Sequence, residues 1–224
     1  MNCSSIPGKI AQDWNSRLVT HTTPHERVPQ HYHDVEEWLY VQRGEATFYA
    51  AGGQKAHIVG DRPGLPRVLH IPRGEVHRVE IGAAGVDYVM WLSEPRDEST
   101  FSNILSDEEV SLVNKNLLIP QREEDADHSF FDSLLSEQLI FRRADGSIID
   151  KERFLANFSK RARKASDSVR ILSRTPEIIL VSTSVTMPSA AGALDAFLNE
   201  RLFVKENGVW KCRVWWNSRE STDS

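Results

Sequence analysis

The chain has 224 residues, 40 % hydrophobic and 26 % charged, with a formal net charge of −5 at pH 7. Such a composition can bury a core and excludes fibrous and disordered classes. A net negative chain without a basic stripe argues against a nucleic-acid partner, because phosphate contact needs clustered Lys and Arg. The one dense basic run, at 160–164, follows an apolar helical pattern and reads as a solvated helix end. The first twenty residues lack the apolar stretch of a secretory signal. No window reaches the roughly 18 apolar residues of a membrane span. Cys3 and Cys212 are far apart and lack metal-site spacing, as expected of a reduced compartment. A cytoplasmic protein without membrane or nucleic-acid partners is expected.

From Arg17 to Leu92 short apolar runs alternate with glycine and proline, at 38–42, 46–50, 56–59, 67–71, 77–81 and 86–92. Runs of this length between turn residues predict closely spaced antiparallel strands, so the first half is all-β. Residues 93–106 are polar, carry Pro95 and read as a linker that holds the domain boundary. Ser106 and Glu109 have capping-box spacing and open a helix. Its apolar face is Val110, Val113, Leu117 and Leu118, and Pro120 is expected to stop it. A second helix is expected over 123–136, a strand over 139–142, a turn at Asp145-Gly146 and a third helix over 150–159 with Phe154, Leu155 and Phe158 inward. Long β runs follow at 169–174, 177–187, 196–205 and 209–216. The last two are joined by Asn207-Gly208, a strong hairpin signal. Helices followed by a long sheet make the second half α+β. The expected division is therefore 1–95, an all-β domain; 96–120, linker and helix; and 121–224, an α+β domain.

Seven of the eight histidines lie between His21 and His77. His31, His33 and Glu37 share parity, which on one extended strand would put two imidazoles and a carboxylate on one face. They belong to a longer pattern that continues through Gly44 to Pro72-x-Gly74 and His77. Imidazole nitrogen and carboxylate oxygen suit Fe, Mn, Ni, Co and Zn at about 2.0–2.2 Å. Three histidines and a glutamate leave positions open for water, dioxygen or substrate. Gly44 and Gly74 serve turns that bring the ligands together. The competing reading is a β-sandwich whose histidines are held by structural hydrogen bonds. His70 could supply a hydrogen bond behind the ligands, or be an ordinary strand residue. His21, His25 and His57 are expected at the surface. Trp38 and Tyr40 are expected on the face opposite the ligands, where large aromatics meet another domain or a second subunit.

His31, His33, Glu37, Gly44, Pro72, Gly74 and His77 together resemble the two motifs of the cupin superfamily. Pro66 and Ile81 depart from that family's usual glycine and asparagine, and neither position is a ligand. The resemblance covers about Val19 to Leu92 and implies a small β-barrel with the metal inside. From about Glu124 to Arg219 the chain resembles the SnoaL-like, nuclear-transport-factor-2-like superfamily, through FFDSLLSEQLIFRRADGSIIDKERFLANF and ERLFVKENGVWKCRVWW. That resemblance implies a cone of helices on a curved sheet around an apolar pocket. It leaves the activity open, since members include isomerases, cyclases, dehydratases and plain binders.

Isomerase chemistry in the cone would need a carboxylate base and an oxyanion donor. Asp132, Asp145 and His128 are available, none in an identifying motif. Arg142-Arg143 could meet an anionic ligand or form a surface pair with Asp145. The favoured reading is a metal-dependent enzyme on a small organic molecule. An Fe(II) dioxygenase or oxygenase heads it, with one divalent ion per chain and Mn, Ni, Co or Zn as other metals. The second domain would supply an apolar pocket or a homodimer contact. A Lewis-acid isomerase or lyase, a non-catalytic small-molecule binder, and isomerase or cyclase chemistry in the second domain are the alternatives.

Overall fold

The computed structural model describes residues 14–62, 64–95, 103–157, 162–165, 168–189 and 193–220. The chain divides into two compact units, Met1–Val110 and Ser111–Ser224. The division falls inside the first helix, beyond the polar stretch 93–106.

The first unit is built on one sheet of seven strands. They are β1 (Asn15–His21), β2 (Arg27–Tyr32), β3 (Glu37–Ala50), β4 (Lys55–Val59), β5 (Val68–Ile71), β6 (His77–Leu92) and β7 (Asn103–Ile104). The sheet runs β4-β3-β6-β2-β7, with β1 also paired to β6 and β5 to β3. Strand β3 absorbs the two runs expected at 38–42 and 46–50, and β6 absorbs 77–81 and 86–92. Register shifts between Val41 and Arg43 and between Gly44 and Ala46 kink the pair where turns were expected. The inward residues of β3 and β6 alternate: Leu39, Val41, Val79, Ile81, Met90 and Leu92 enter one buried cluster with Phe48, Ile58 and Leu69.

Gly44 makes the kink possible. Its φ is +71°, and a Cβ there would stand 2.1 Å from the Gly85 carbonyl oxygen on the facing strand. Its N–H donates to Asp61 Oδ2 at 2.7 Å, which fixes the backbone in place. Gly44→Ala should therefore lower stability by about 1–3 kcal/mol. The check is the denaturant midpoint of the first unit's transition, which an unstrained site would leave where it was.

The second unit begins within α1 (Asp107–Glu124). Ser106 and Glu109 form the expected capping box: the Ser106 N–H donates to Glu109 Oε2 at 2.7 Å and the Glu109 N–H to Ser106 Oγ at 3.4 Å. Pro120 does not end the helix. Ile119 beside it is fully buried, and the Asp125 N–H still reaches the Gln121 carbonyl at 2.9 Å. Packing here outweighs the helix-breaking tendency. The helix expected over 123–136 is shorter, α2 (His128–Leu134), because Ala126 takes a φ of +53° and Asp127 restarts the chain as N-cap. Strand β8 (Leu135–Arg142) follows directly, then β9 (Ile148–Ile149) and α3 (Lys151–Ala156). Phe158, expected inward on the third helix, lies outside the described residues. The remaining strands are β10 (Lys164–Ala165), β11 (Arg170–Arg174), β12 (Ile178–Pro188), β13 (Leu194–Glu206) and β14 (Val209–Arg219).

These strands form a second seven-stranded sheet in the order β10-β12-β13-β14-β8-β9, with β11 on β12. The β14–β8 pair is parallel. Asn207 and Gly208 both take positive φ, 51° and 80°, and close the β13–β14 hairpin as their sequence requires. The sheet packs Trp215 against Phe141 and Phe154, with ring centroids 4.9 and 5.5 Å away. Among the described residues no helix is long and apolar enough to cross a membrane. Cys212 is buried, and burial pushes its thiol up to about 12, so it stays protonated; Cys3 lies outside the described residues.

Candidate metal centre

Strand register brings the first two histidines together. His31, next to last in β2, pairs directly with His77, the first residue of β6. His77 shares its inward face with Val79 and Ile81, so the alternation that buries those two also buries the imidazole. His33 lies just beyond β2, held where the Gly74 N–H donates to its carbonyl at 2.8 Å. Gly74 takes a φ of +77°, the left-handed geometry its position in Pro72-x-Gly74 predicts. Glu37 opens β3 and shares its parity with Leu39 and Val41. The single-strand account of His31, His33 and Glu37 is thus corrected: a bend between β2 and β3 separates the glutamate from the histidines, and matching parity was not the cause of their approach.

His31, His33 and His77 are 3 %, 3 % and 1 % exposed. One potential ligand atom from each lies within 4.8 Å of the others. The ring centroids stand 4.3 to 5.1 Å apart. Two hydrogen bonds fix the chemistry of the rings. His31 Nδ1 meets the Pro29 carbonyl at 2.7 Å, and His77 Nδ1 meets the Glu75 carbonyl at 2.9 Å. A carbonyl only accepts, so Nδ1 carries the proton in both and Nε2 keeps its lone pair. Burial lowers the pKa of His31. His77 is held well below the usual imidazole value, by burial first and then by the two neighbouring histidines. Neutral rings with free Nε2 atoms are what a metal takes.

Glu37 is not one of the three mutually close potential ligands and stands beside the cluster, next to His33. Its Oε2 lies 3.2 Å from His33 Nε2 and makes no hydrogen bond. Two donors bound at about 2.1 Å and roughly a right angle to one ion would sit about 3 Å apart. The orphaned oxygen therefore fits a ligand beside His33, and the donor set suits a first-row divalent ion. Burial raises the Glu37 carboxyl to about 8, with Arg17 pulling the other way. A cation here would relieve that burial cost.

The four residues open on a cavity of about 180 Å³ whose walls include Val19, Val28, Phe48 and Met90. Arg17, His21 and Tyr88 also line it. None of these three was expected. On β1 the odd-numbered Arg17, Val19 and His21 face inward while Leu18 is 63 % exposed. His21, expected at the surface, instead joins Glu26 Oε2 through Nδ1 at 3.1 Å and stacks near Tyr88. Burial pushes the Tyr88 phenol up, so it remains a hydrogen-bond donor.

The other candidates lie elsewhere. His70 does not line the cavity; it stacks on Trp38 at 4.5 Å and approaches Glu36 on the opposite face of β5 from Leu69 and Ile71. Trp38 is buried by that contact, and Tyr40 accepts from Arg67 at 3.4 Å. His25 and His57 are exposed. In the second unit none of His128, Asp132 and Asp145 lines its cavity. Lys151 holds the Asp132 carboxyl below its usual range, and Ser147 does the same for Asp145, so both are weak bases.

No family model matches the chain, and no curated protein matches it. Among solved structures it is similar to an NTF2-like protein from Cytophaga hutchinsonii, at 20 % identity and a TM-score of 0.44, over 52 % of this chain and all of that one. A domain of unknown function with a cystatin-like fold from Nostoc punctiforme aligns at 13 % identity and TM-score 0.46, over 53 % of this chain and 81 % of that one. The S. rosetta CaMKII hub aligns at 13 % identity and TM-score 0.42, over 52 % and 98 %. These likenesses concern about half of the chain and attach no activity, ligand or partner to it.

Proposed function

We propose that the first unit is a metal-dependent, cupin-like enzyme domain acting on a small oxygenated or anionic organic molecule, with Fe(II) oxygenation as the leading chemistry. The observation that carries the proposal is the convergence of three buried imidazoles, in two of which, His31 and His77, an Nδ1–carbonyl hydrogen bond leaves the Nε2 lone pair available. A bound first-row divalent ion would supply Lewis acidity and, as Fe(II), the capacity to activate dioxygen. His31, His33 and His77 would hold it, with Glu37 beside His33. The Arg17 guanidinium shares the cavity and would orient an anionic group of the substrate. The Tyr88 hydroxyl would donate to a substrate oxygen, and the walls formed by Val28, Phe48 and Met90 would exclude water.

Purified, chelator-stripped protein reconstituted separately with Fe(II), Mn(II), Ni(II) and Zn(II) should take up one ion per chain. Oxygen consumption with candidate substrates, in air and with argon as control, should appear with Fe(II) alone. Equal turnover under argon would favour the Lewis-acid isomerase or lyase reading. Activity in the stripped protein would sink both and move catalysis to the second unit. Metal uptake without any turnover would leave a small-molecule binder. A homodimer belongs to the same proposal, supported by exposed Leu194, Val209 and Trp216 on the second sheet. Sedimentation of the full chain as a monomer would remove it.

A further inference from the structure

The second unit contains a cavity of about 330 Å³, the size of a small-ligand pocket. Phe141, Phe154, Val185, Met187 and Phe197 give it apolar walls. Its polar lining includes Arg201, 1 % exposed at the middle of β13. The Arg201 guanidinium donates from Nη1 to Asn116 Oδ1 at 2.8 Å and from Nη2 to Asn199 Oδ1 at 3.1 Å, and it lies 4.0 Å over the Trp215 ring. Those partners are all neutral. Its Nε has no hydrogen bond, and among the described residues no carboxylate forms an ion pair with it. The cavity's own acid, Glu123, is engaged by Arg163. Arg163 Nε also lacks an acceptor.

We infer that this cavity binds a small organic carboxylate, its anionic end on Arg201 and its apolar body against the phenylalanines. A fully buried cation with neutral partners lacks its counter-charge, and a planar carboxylate matches the planar fork of a guanidinium. Glu123 favours the charged Arg201 but is offset by Arg163 beside it, so the cavity's charges leave the buried guanidinium short of a counter-ion and a carboxylate suits it. Inorganic phosphate would leave the five apolar walls facing a hydrated ion. Burial lowers the Arg201 pKa to about 10, which still leaves it charged at neutral pH. Arg143, half-buried, lines the same cavity and adds positive charge on its side. The plain alternative is that Arg201 only ties α1 to the sheet through Asn116. A purely structural arginine would not distinguish an acid from its amide.

The test is titration calorimetry on the full chain with 3-phenylpropanoate, 4-methylpentanoate, their primary amides and inorganic phosphate. At least one acid should bind at one site per chain, with its amide weaker by about tenfold or more. Arg201→Lys keeps the charge but loses the fork, and should weaken the acid by a similar factor. Met187→Trp should fill the cavity and block binding while Arg201 stays in place. If Arg201→Lys fails to fold, the acid–amide pair and Met187→Trp decide. Equal binding of acid and amide overturns the inference. So does phosphate competing as strongly as the acids, binding undiminished by Met187→Trp, or no acid binding to the folded wild-type chain at millimolar concentration.

Discussion

Replacing His77 with alanine should abolish stoichiometric metal binding and leave the first unit folded. His77 forms one corner of a triangle of imidazoles, 4.3 Å from the His31 ring and 5.1 Å from that of His33. Its loss should exceed the about 10–100-fold that removal of a contact behind a ligand costs in metal affinity. Two histidines and the glutamate beside His33 would remain. The structural loss is smaller: one hydrogen bond to the Glu75 carbonyl, worth about 1 kcal/mol, and some packing near Phe48. The two effects separate in a melting experiment. Metal at about a hundred times its Kd should stabilise the wild type by about 2.7 kcal/mol, and the variant by almost nothing. His57→Ala, at an exposed site on the same sheet, should change neither quantity. A His77→Ala protein that keeps one tightly bound ion per chain would remove His77 from the ligand set.

The spacing of His31, His33 and His77 is legible in the sequence because each element of the pattern has a local cause. Gly74 must be glycine at a φ of +77°, and His77 must share parity with Val79 and Ile81. What joins them is not local. His31 meets His77 through the β2–β6 register, and an irregularity between Val28 and His31 turns both of these toward the cavity although they are three residues apart. Simple alternation places them on opposite faces. The same gap hides Arg17. Leu18 and Val19 are adjacent apolar residues, so β1 offers two equally good inward faces, and the one that Arg17 shares is chosen by pairing with β6, which sets Arg17 opposite Met90. Tyr88 comes in by that same register, opposite Val19.

In the second half the hairpin at Asn207-Gly208 and the N-caps Asp127 and Asp150 follow from short-range chemistry. Pro120 shows the reverse. Its local signal is strong, and a fully buried Ile119 overrides it. Arg201 is a third kind of residue. It stands in a strand between Glu200 and Leu202 and reads as a surface charge. Its burial depends on Asn116, 85 residues away in sequence, being placed over it. No spacing within β13 foretells that contact.

Trp215 is where the second unit should be weakest to truncation. It is 1 % exposed and meets Phe141, Phe154 and the Arg201 guanidinium. Its indole N–H lies 3.0 Å from Asn199 Oδ1 and 2.7 Å from Asn217 Oδ1. Trp215→Ala removes a large ring that the surrounding phenylalanines cannot fully replace, at about 3–5 kcal/mol. It also strips Arg201 of the aromatic face that helps hold a buried charge, and takes a donor from two asparagines. Trp215→Phe keeps most of the volume and should recover much of the loss, leaving the missing indole donor as the remainder. Because the chain has two compact units, a single unfolding curve need not describe it. The measurement is therefore denaturant unfolding followed with metal present and absent. Metal should move the transition of the first unit, and Trp215→Ala the other. If Trp215→Ala instead shifts the metal-sensitive transition by the same amount, the two units unfold as one, and the cavity around Arg201 cannot be treated as energetically separate from the histidine site.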